Sequence, residues 1–177
     1  MKKYCAIIVA YNEESMIRGC LKGLKEIKTF VLISKPWFGK HIVFDKTEEI
    51  AKQEGAIVIK KDFETEREQR NYGMEIARQQ GYDYAFIIDA DEYYTTESIS
   101  NAIEYIEKNT DTERFDIGIC YYLWKNSEWE ILPRFFNCIP ACYKTTLVFD
   151  GLRTIMSEKK LVFPENVICY HFLRIIY

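Results

Sequence analysis

The stretch Tyr84-Ala85-Phe86-Ile87-Ile88-Asp89-Ala90-Asp91-Glu92-Tyr93 constrains this chain more than any other. Its run of Ala85, Phe86, Ile87 and Ile88 has no polar alternation, the pattern of a strand covered on both faces. The run then ends in three acids within four residues. In open α/β sheets the carboxyl ends of the strands are where ligands bind. An extended backbone there points Asp89 and Asp91 the same way, because side chains repeat every two residues. Two carboxylates on one side make an oxygen site for a hard divalent cation. Magnesium or manganese takes one or two carboxylates together with substrate phosphates. The bland alternative is a solvated acidic turn ahead of the next helix. Glu92 fits that alternative better, as a first-turn helix acid favoured by the helix dipole.

The chain around this stretch alternates strand and helix. Residues 4–9 form an apolar first strand, and a polar loop Ala10-Tyr11-Asn12-Glu13-Glu14 follows. Ser15 or Asn12 can cap the next helix, which carries Ile17, Leu21 and Leu24 on one face. Residues 30–34 form the second strand, and Pro36 and Gly39 punctuate a loop after it. A short extended piece at 42–44 leads to Asp45, which caps a helix with Glu48 as its capping-box partner and Gly55 as its stop. Residues 56–59 are the third strand. A charged helix over 67–80, with Gly73, Ile76 and Ala77 inward, ends at Gly81. After the acids, a helix over 96–109 places Ile99, Ala102, Ile103 and Ile106 at helical spacing. Such alternation predicts a parallel sheet with helices on its faces. The last third differs: 115–124, 131–137, 147–149 and 167–171 read as strands without helices between them. They are expected to extend or flank the sheet as antiparallel pieces.

A chain of 177 residues, 48% hydrophobic, is the size of one α/β domain with a proper core. Its net charge of -3 gives no electrostatic case for nucleic-acid binding. Cys5 and Cys169 lie in apolar runs and read as buried thiols. Cys138 and Cys142 have poor zinc-ligand spacing, with only His41 and His171 to join them. Met1-Lys2-Lys3 leads straight into a strand-like run, so no signal peptide is expected. No apolar stretch approaches the ~20 residues of a membrane span. A reducing, cytoplasmic location follows as the expectation.

Four segments carry a resemblance. Tyr11-Asn12-Glu13-Glu14 after the first strand resembles the opening motif of the family 2 glycosyltransferases. Asp45-Lys46-Thr47-Glu48-Glu49-Ile50-Ala51 is similar to their D-x-T-x-E-I-A helix start. Arg70-Asn71-Tyr72-Gly73 resembles their R-N-x-G segment, and Asp89-Ala90-Asp91-Glu92 their D-A-D-E form of the D-x-D motif. The order and spacing match over residues 4–110. The resemblance implies a GT-A fold, Rossmann-like, with a mixed central sheet flanked by helices. It also implies a UDP- or GDP-type nucleotide-diphosphate sugar as donor, manganese or magnesium as cofactor, and a glycan, lipid or protein acceptor of unknown identity. Residues 4–110 would bind the nucleotide sugar and the short 111–177 half would face the acceptor.

The same resemblance suggests residue roles. Asp91 would sit on the metal and Asp89 toward the ribose and the metal's waters. Tyr11, Asn12 and Glu13 would line base and ribose, and Arg70 would face the diphosphate, where a guanidinium fork suits phosphate oxygens. The alternative for Arg70 is a helix-surface side chain paired with Glu66. His171, at the end of a late strand, looks like the third metal ligand some GT-A enzymes supply. The family's general base lies in a late acidic motif, for which Asp150 before Gly151 is the best candidate, with Glu128 and Glu165 weaker. An Asp before Gly is also an ordinary turn residue. One departure concerns the base: the family's Asp-Asp-Gly-Ser run after the second strand, whose first Asp reads the base, is Ser34-Lys35-Pro36-Trp37 here. Lys35 either approaches a phosphate or is solvated. Trp124, Trp129, Tyr121 and Tyr122 are core residues or an acceptor platform.

Breaking a sugar–phosphate bond concentrates negative charge on the departing diphosphate, and a cation held by Asp89 and Asp91 offsets it. The expected reaction is a metal-assisted single displacement with inversion, needing a base for the acceptor hydroxyl. Two rivals remain. A nucleotidyl- or phosphotransferase would want a basic, glycine-rich loop after the first strand, which Tyr11-Asn12-Glu13-Glu14 is not. A non-catalytic descendant would bind sugar nucleotide or glycan only. The apolar segment Leu173-Arg174-Ile175-Ile176-Tyr177 is suited to packing on a second copy of the chain.

Overall fold

The computed structural model describes residues 2–37, 43–109, 117–123, 129–138 and 160–171. In chain order the elements are β1 (Tyr4–Ala10), α1 (Ile17–Lys22), β2 (Lys28–Ile33), α2 (Thr47–Gln53), β3 (Ile57–Lys60), α3 (Glu66–Gln79), β4 (Tyr84–Asp89), β5 (Glu92–Tyr93) and α4 (Thr96–Asn109). Then come β6 (Ile117–Leu123), β7 (Trp129–Asn137), β8 (Lys160–Val162) and β9 (Ile168–His171). One sheet runs β3-β2-β1-β4-β7-β6-β9-β5, with β8 also on β6. β1 pairs in parallel with β2 on one side and β4 on the other, and β3 adds in parallel to β2. β7 then runs antiparallel to β4, and β6 antiparallel to β7. The mixed α/β sheet is as expected. The late strands are not uniformly antiparallel, because β8 and β9 run parallel to β6.

The alternation of β-strand side chains divides the core into two layers. Ala6, Ile8, Phe86 and Ile88 face α1, α2 and α4 through Ile17, Leu21, Ala51, Ile99, Ala102 and Ile106. Cys5, Ile7, Ala85 and Ile87 face α3 through Met74 and Ala77. Cover on both faces explains why β1 and β4 carry no polar residue before their carboxyl ends. The parity continues past the core. Asp89 follows Ala85 and Ile87 on the α3 side, which decides its partner below. A Cβ on Gly73 would stand 2.5 Å from Ile7 Cγ2 and 3.0 Å from Leu32 Cδ1. Glycine there lets α3 lie close on β1 and β2, with its N-terminal turn at the sheet's carboxyl edge. Thr65 caps that turn by accepting the Glu68 N–H at 3.2 Å.

Several local expectations are corrected. α1 starts after Met16, with no side-chain cap from Asn12 or Ser15. Lys46 rather than Asp45 is the N-cap of α2. β5 and β8 were not expected, and Glu92 belongs to β5 rather than to a helix start. Cys5 and Cys169 are buried thiols, as expected, and Cys20 and Cys138 are buried too. The neighbouring Cys138 thiol, then burial, pushes the Cys5 thiol far above its ordinary range. No helix among the described residues is long and apolar enough to cross a membrane.

Candidate active site

β4 delivers its acids to the carboxyl edge of the parallel strands. The strand ends at Asp89, Ala90 and Asp91 turn, and the chain resumes as β5. The backbone is therefore not extended through the motif, and Asp89 and Asp91 take different partners. β5 pairs antiparallel with β9, Glu92 opposite His171 and Tyr93 opposite Tyr170. That pairing brings His171 Nε2 to 3.3 Å from Asp91 Oδ2, with side-chain exposures of 14% and 28%. The hydrogen bond that His171 donates to Asp91 raises the His171 pKa against the opposing effect of burial, with Glu92 and Asp89 adding to the rise. Glu92 is fully buried, and its Oε2 accepts the Asp89 backbone N–H at 3.1 Å. Cys20 packs its thiol 3.8 Å from the Asp89 carbonyl, behind the turn.

Asp89 meets α3. Arg70 sits on the first turns of that helix, with its side chain 3% exposed. Its Nε donates to Glu66 Oε1 at 2.6 Å, and its Nη2 donates to Asp89 Oδ1. Glu66, one turn earlier, is equally buried. Arg70 is thus neither a surface arginine nor a guanidinium pointing freely outward. It is a buried link between a helix carboxylate and the first acid of the motif. Gln69 steadies the same turn, donating to the Leu32 carbonyl at 2.7 Å and accepting from Trp37 Nε1 at 2.9 Å.

The loop after β1 is stitched to the start of α2. Asn12 has a φ of 52°, a left-handed conformation that asparagine tolerates better than most residues. Its Oδ1 accepts the Asp45 N–H at 3.2 Å. Glu13 N–H donates to Thr47 Oγ1 at 2.7 Å, and Glu14 N–H to Asp45 Oδ2 at 3.0 Å. Burial raises the Asp45 pKa, but the hydrogen bonds from Thr47 and the Glu14 N–H outweigh it and leave the carboxyl below its usual range. The aspartate and threonine of the D-x-T segment therefore hold the Tyr11–Glu14 loop in place. The Tyr11 ring packs edge-on against Phe44, with centroids 6.1 Å apart. At the end of β2, Ser34 is buried and its Oγ accepts the Phe63 N–H at 3.0 Å. Lys35 pairs with Glu64 at 2.6 Å, toward solvent. Glu64 is the first cause of the rise in the Lys35 pKa.

The strand ends thus gather Tyr11, Asn12, Glu13, Asp89, Asp91 and His171 on neighbouring elements, with Arg70 behind Asp89. Asp150, Glu128 and Trp124 lie outside the described residues. Glu165 is exposed. Tyr121, Tyr122 and Trp129 lie on β6 and β7. Glu66, Gln69 and Glu92 are the holding residues that sequence reasoning undervalued. Among the described residues, no group of three His, Cys, Asp or Glu side chains forms a metal cage. Asp91 and His171, with Asp89 two residues earlier in the chain, are the residues that could hold a divalent ion and leave positions for phosphate oxygens.

The model of glycosyl transferase family 2 matches residues 5–162. No curated protein sequence matches the chain. Among solved structures, S. aureus TarS 1-349 in complex with UDP-GlcNAc superposes with a TM-score of 0.70 at 15% identity, covering 97% of this chain and 59% of that one. The mannosyltransferase PcManGT from Pyrobaculum calidifontis, in complex with GDP-Man and Mn2+, gives 0.62 at 15%, covering 96% of this chain and 56% of that one. The 4-diphosphocytidyl-2C-methyl-D-erythritol synthase from Anaerococcus prevotii gives 0.57 at 13%, covering 94% and 89%. This chain therefore spans under two thirds of either glycosyltransferase, and these likenesses speak for the fold. With a family match over most of its length and a sheet of the same kind, the chain belongs to glycosyl transferase family 2.

Proposed function

We propose that this protein transfers a sugar from a UDP- or GDP-type nucleotide-diphosphate donor to an acceptor, with a divalent manganese or magnesium ion and with inversion. The observation that carries this reading is the turn at the end of β4. It puts Asp91 and His171 3.3 Å apart at the carboxyl edge of the parallel strands, with Asp89 beside them.

Asp91 and His171 would hold the ion, the imidazole in its neutral form. When bound, the ion offsets the charge that collects on the departing diphosphate. Asp89, clamped by Arg70, would turn its remaining lone pairs to the ribose and the ion's waters. Arg70 would reach the diphosphate region through that clamped carboxylate. Tyr11, Asn12 and Glu13 would line base and ribose, on a loop already tied to Asp45 and Thr47. Lys35 would approach a phosphate only by leaving Glu64, a surface pair of small worth. Asp150 is the proposed acceptor base. Residues 4–110 form the donor half and 111–177 the acceptor half in this reading.

The test is a thermal-shift panel of nucleotide sugars with and without manganese. A UDP- or GDP-sugar should raise Tm only with the metal present, and Asp91→Asn should abolish the effect. Donor binding without metal, equal in Asp91→Asn, would contradict the scheme.

A further inference from the structure

Glu92 has no place in the reading above, yet it is the most deeply buried acid of the motif, 0% exposed. A carboxylate buried this far needs hydrogen-bond donors. Asp89 N–H supplies one, at 3.1 Å. The reason lies in the sheet. β4 is paired with β1 through Asp89, but on its other edge β7 pairs only as far as Phe86. Among the described residues, no strand continues that ladder to Asp89. Glu92 Oε2 stands where a neighbouring strand's carbonyl would be. The main chain of the same residue sits opposite His171 in the β5–β9 pairing.

We propose that Glu92 is a positioning residue: its carboxylate terminates the open edge of β4 and closes the Asp89–Asp91 turn, holding Asp91 against His171. One residue thus joins Asp89 through its side chain, Asp91 as chain neighbour and His171 through strand pairing. Groups that orient metal ligands in this way typically change metal affinity about 10- to 100-fold when removed. The proposal concerns the geometry of the turn; only its metal readout rests on the transferase reading.

Two variants test it. Glu92→Gln keeps an oxygen acceptor without the charge; Glu92→Met keeps the length and loses the acceptor. Two quantities are measured: hydrogen exchange at the Asp89 amide by NMR, without metal, and manganese uptake in the presence of UDP or GDP by electron paramagnetic resonance. Glu92→Gln should keep Asp89 protection and manganese affinity within about three-fold, and Glu92→Met should lose at least about ten-fold in both. Equal Asp89 protection in wild type and Glu92→Met would overturn the proposal. So would a Glu92→Gln variant that loses manganese as fully as the methionine variant, since charge rather than the hydrogen bond would then matter. If Glu92→Met does not fold, Glu92→Ala takes its place, and Asp89 protection in Glu92→Ala equal to wild type would overturn the proposal. If the wild-type protein takes up no manganese with either nucleotide while Asp89 protection still follows Glu92, the metal-dependent reading fails and the turn assignment stands.

Discussion

Replacing Arg70 with methionine tests the buried link between α3 and the acid motif. The arginine and Glu66 are each 3% exposed, whereas Asp89 is 31% exposed. Without the guanidinium, Asp89 can turn to water, but Glu66 cannot. Breaking a buried ion pair from one side costs roughly 3–5 kcal/mol, because a charge is left in low dielectric. The half-solvated Asp89 contact adds at most ~1 kcal/mol, as surface pairs do. Arg70→Met should therefore lose about 3–5 kcal/mol, a fall in Tm on the order of 10 °C for a domain of this size. Adding Glu66→Gln should recover part of the loss, with a coupling of about 1–3 kcal/mol. Asp89→Asn should couple to Arg70→Met much less. Arg70→Lys should not substitute, since a point ammonium does not reproduce a fork that serves two carboxylates. Urea unfolding followed by far-ultraviolet circular dichroism measures all of these. A loss under ~1 kcal/mol for Arg70→Met, or additivity with Glu66→Gln, would refute the buried-link argument.

His171→Ala should weaken manganese binding in the presence of nucleoside diphosphate about 10- to 100-fold while leaving the fold intact, measurable by calorimetry. In the metal-free protein, His171 has its pKa raised above the ordinary 6.5 by Asp91. Its contribution to stability should be complete below pH 6.5 and should disappear as pH rises through the elevated value, so wild type and His171→Gln should converge in Tm toward alkaline pH. Gly23→Ala should be more damaging than Gly73→Ala. The first Cβ would stand 1.6 Å from the Tyr94 carbonyl oxygen, part of a backbone that must move, and the second 2.5 Å from an Ile7 methyl that can rotate. Gly73→Ala should cost about 1–3 kcal/mol of overpacking, partly offset by alanine's helix propensity, and denaturant midpoints rank the two.

The parallel half of the fold was legible because its signals are local. Buried strands read as unbroken apolar runs, helices show their period, and Gly55 and Gly81 end α2 and α3 regions with φ of 86° and 74°. The acid motif was legible as the end of such a run. What escaped the sequence depends on partners far along the chain. Glu92 looked like a helix-start acid because α4 follows closely, yet Thr95 accepts the Ser98 N–H at 3.0 Å and is the true start signal. That β5 pairs with β9 has no local signature, since two residues carry no period. The burial of Arg70 was equally hidden. A Glu four residues before an Arg is the usual solvated helix pair, and only the close approach permitted by Gly73 and the parity of Asp89 turn it inward.

The docking of β9 beside β5 has a consequence for biosynthesis. During translation, the amino-terminal strands and helices emerge first and can begin to pack. At that stage the acid turn exists without its imidazole. The Asp–His pair can form only after residue 171 has left the ribosome and its strand has found β5 and β6. In the metal-dependent reading proposed above, metal capture would be reserved for chains that have been made at least that far, so a ribosome stalled after α4 should display a chain that takes up no manganese.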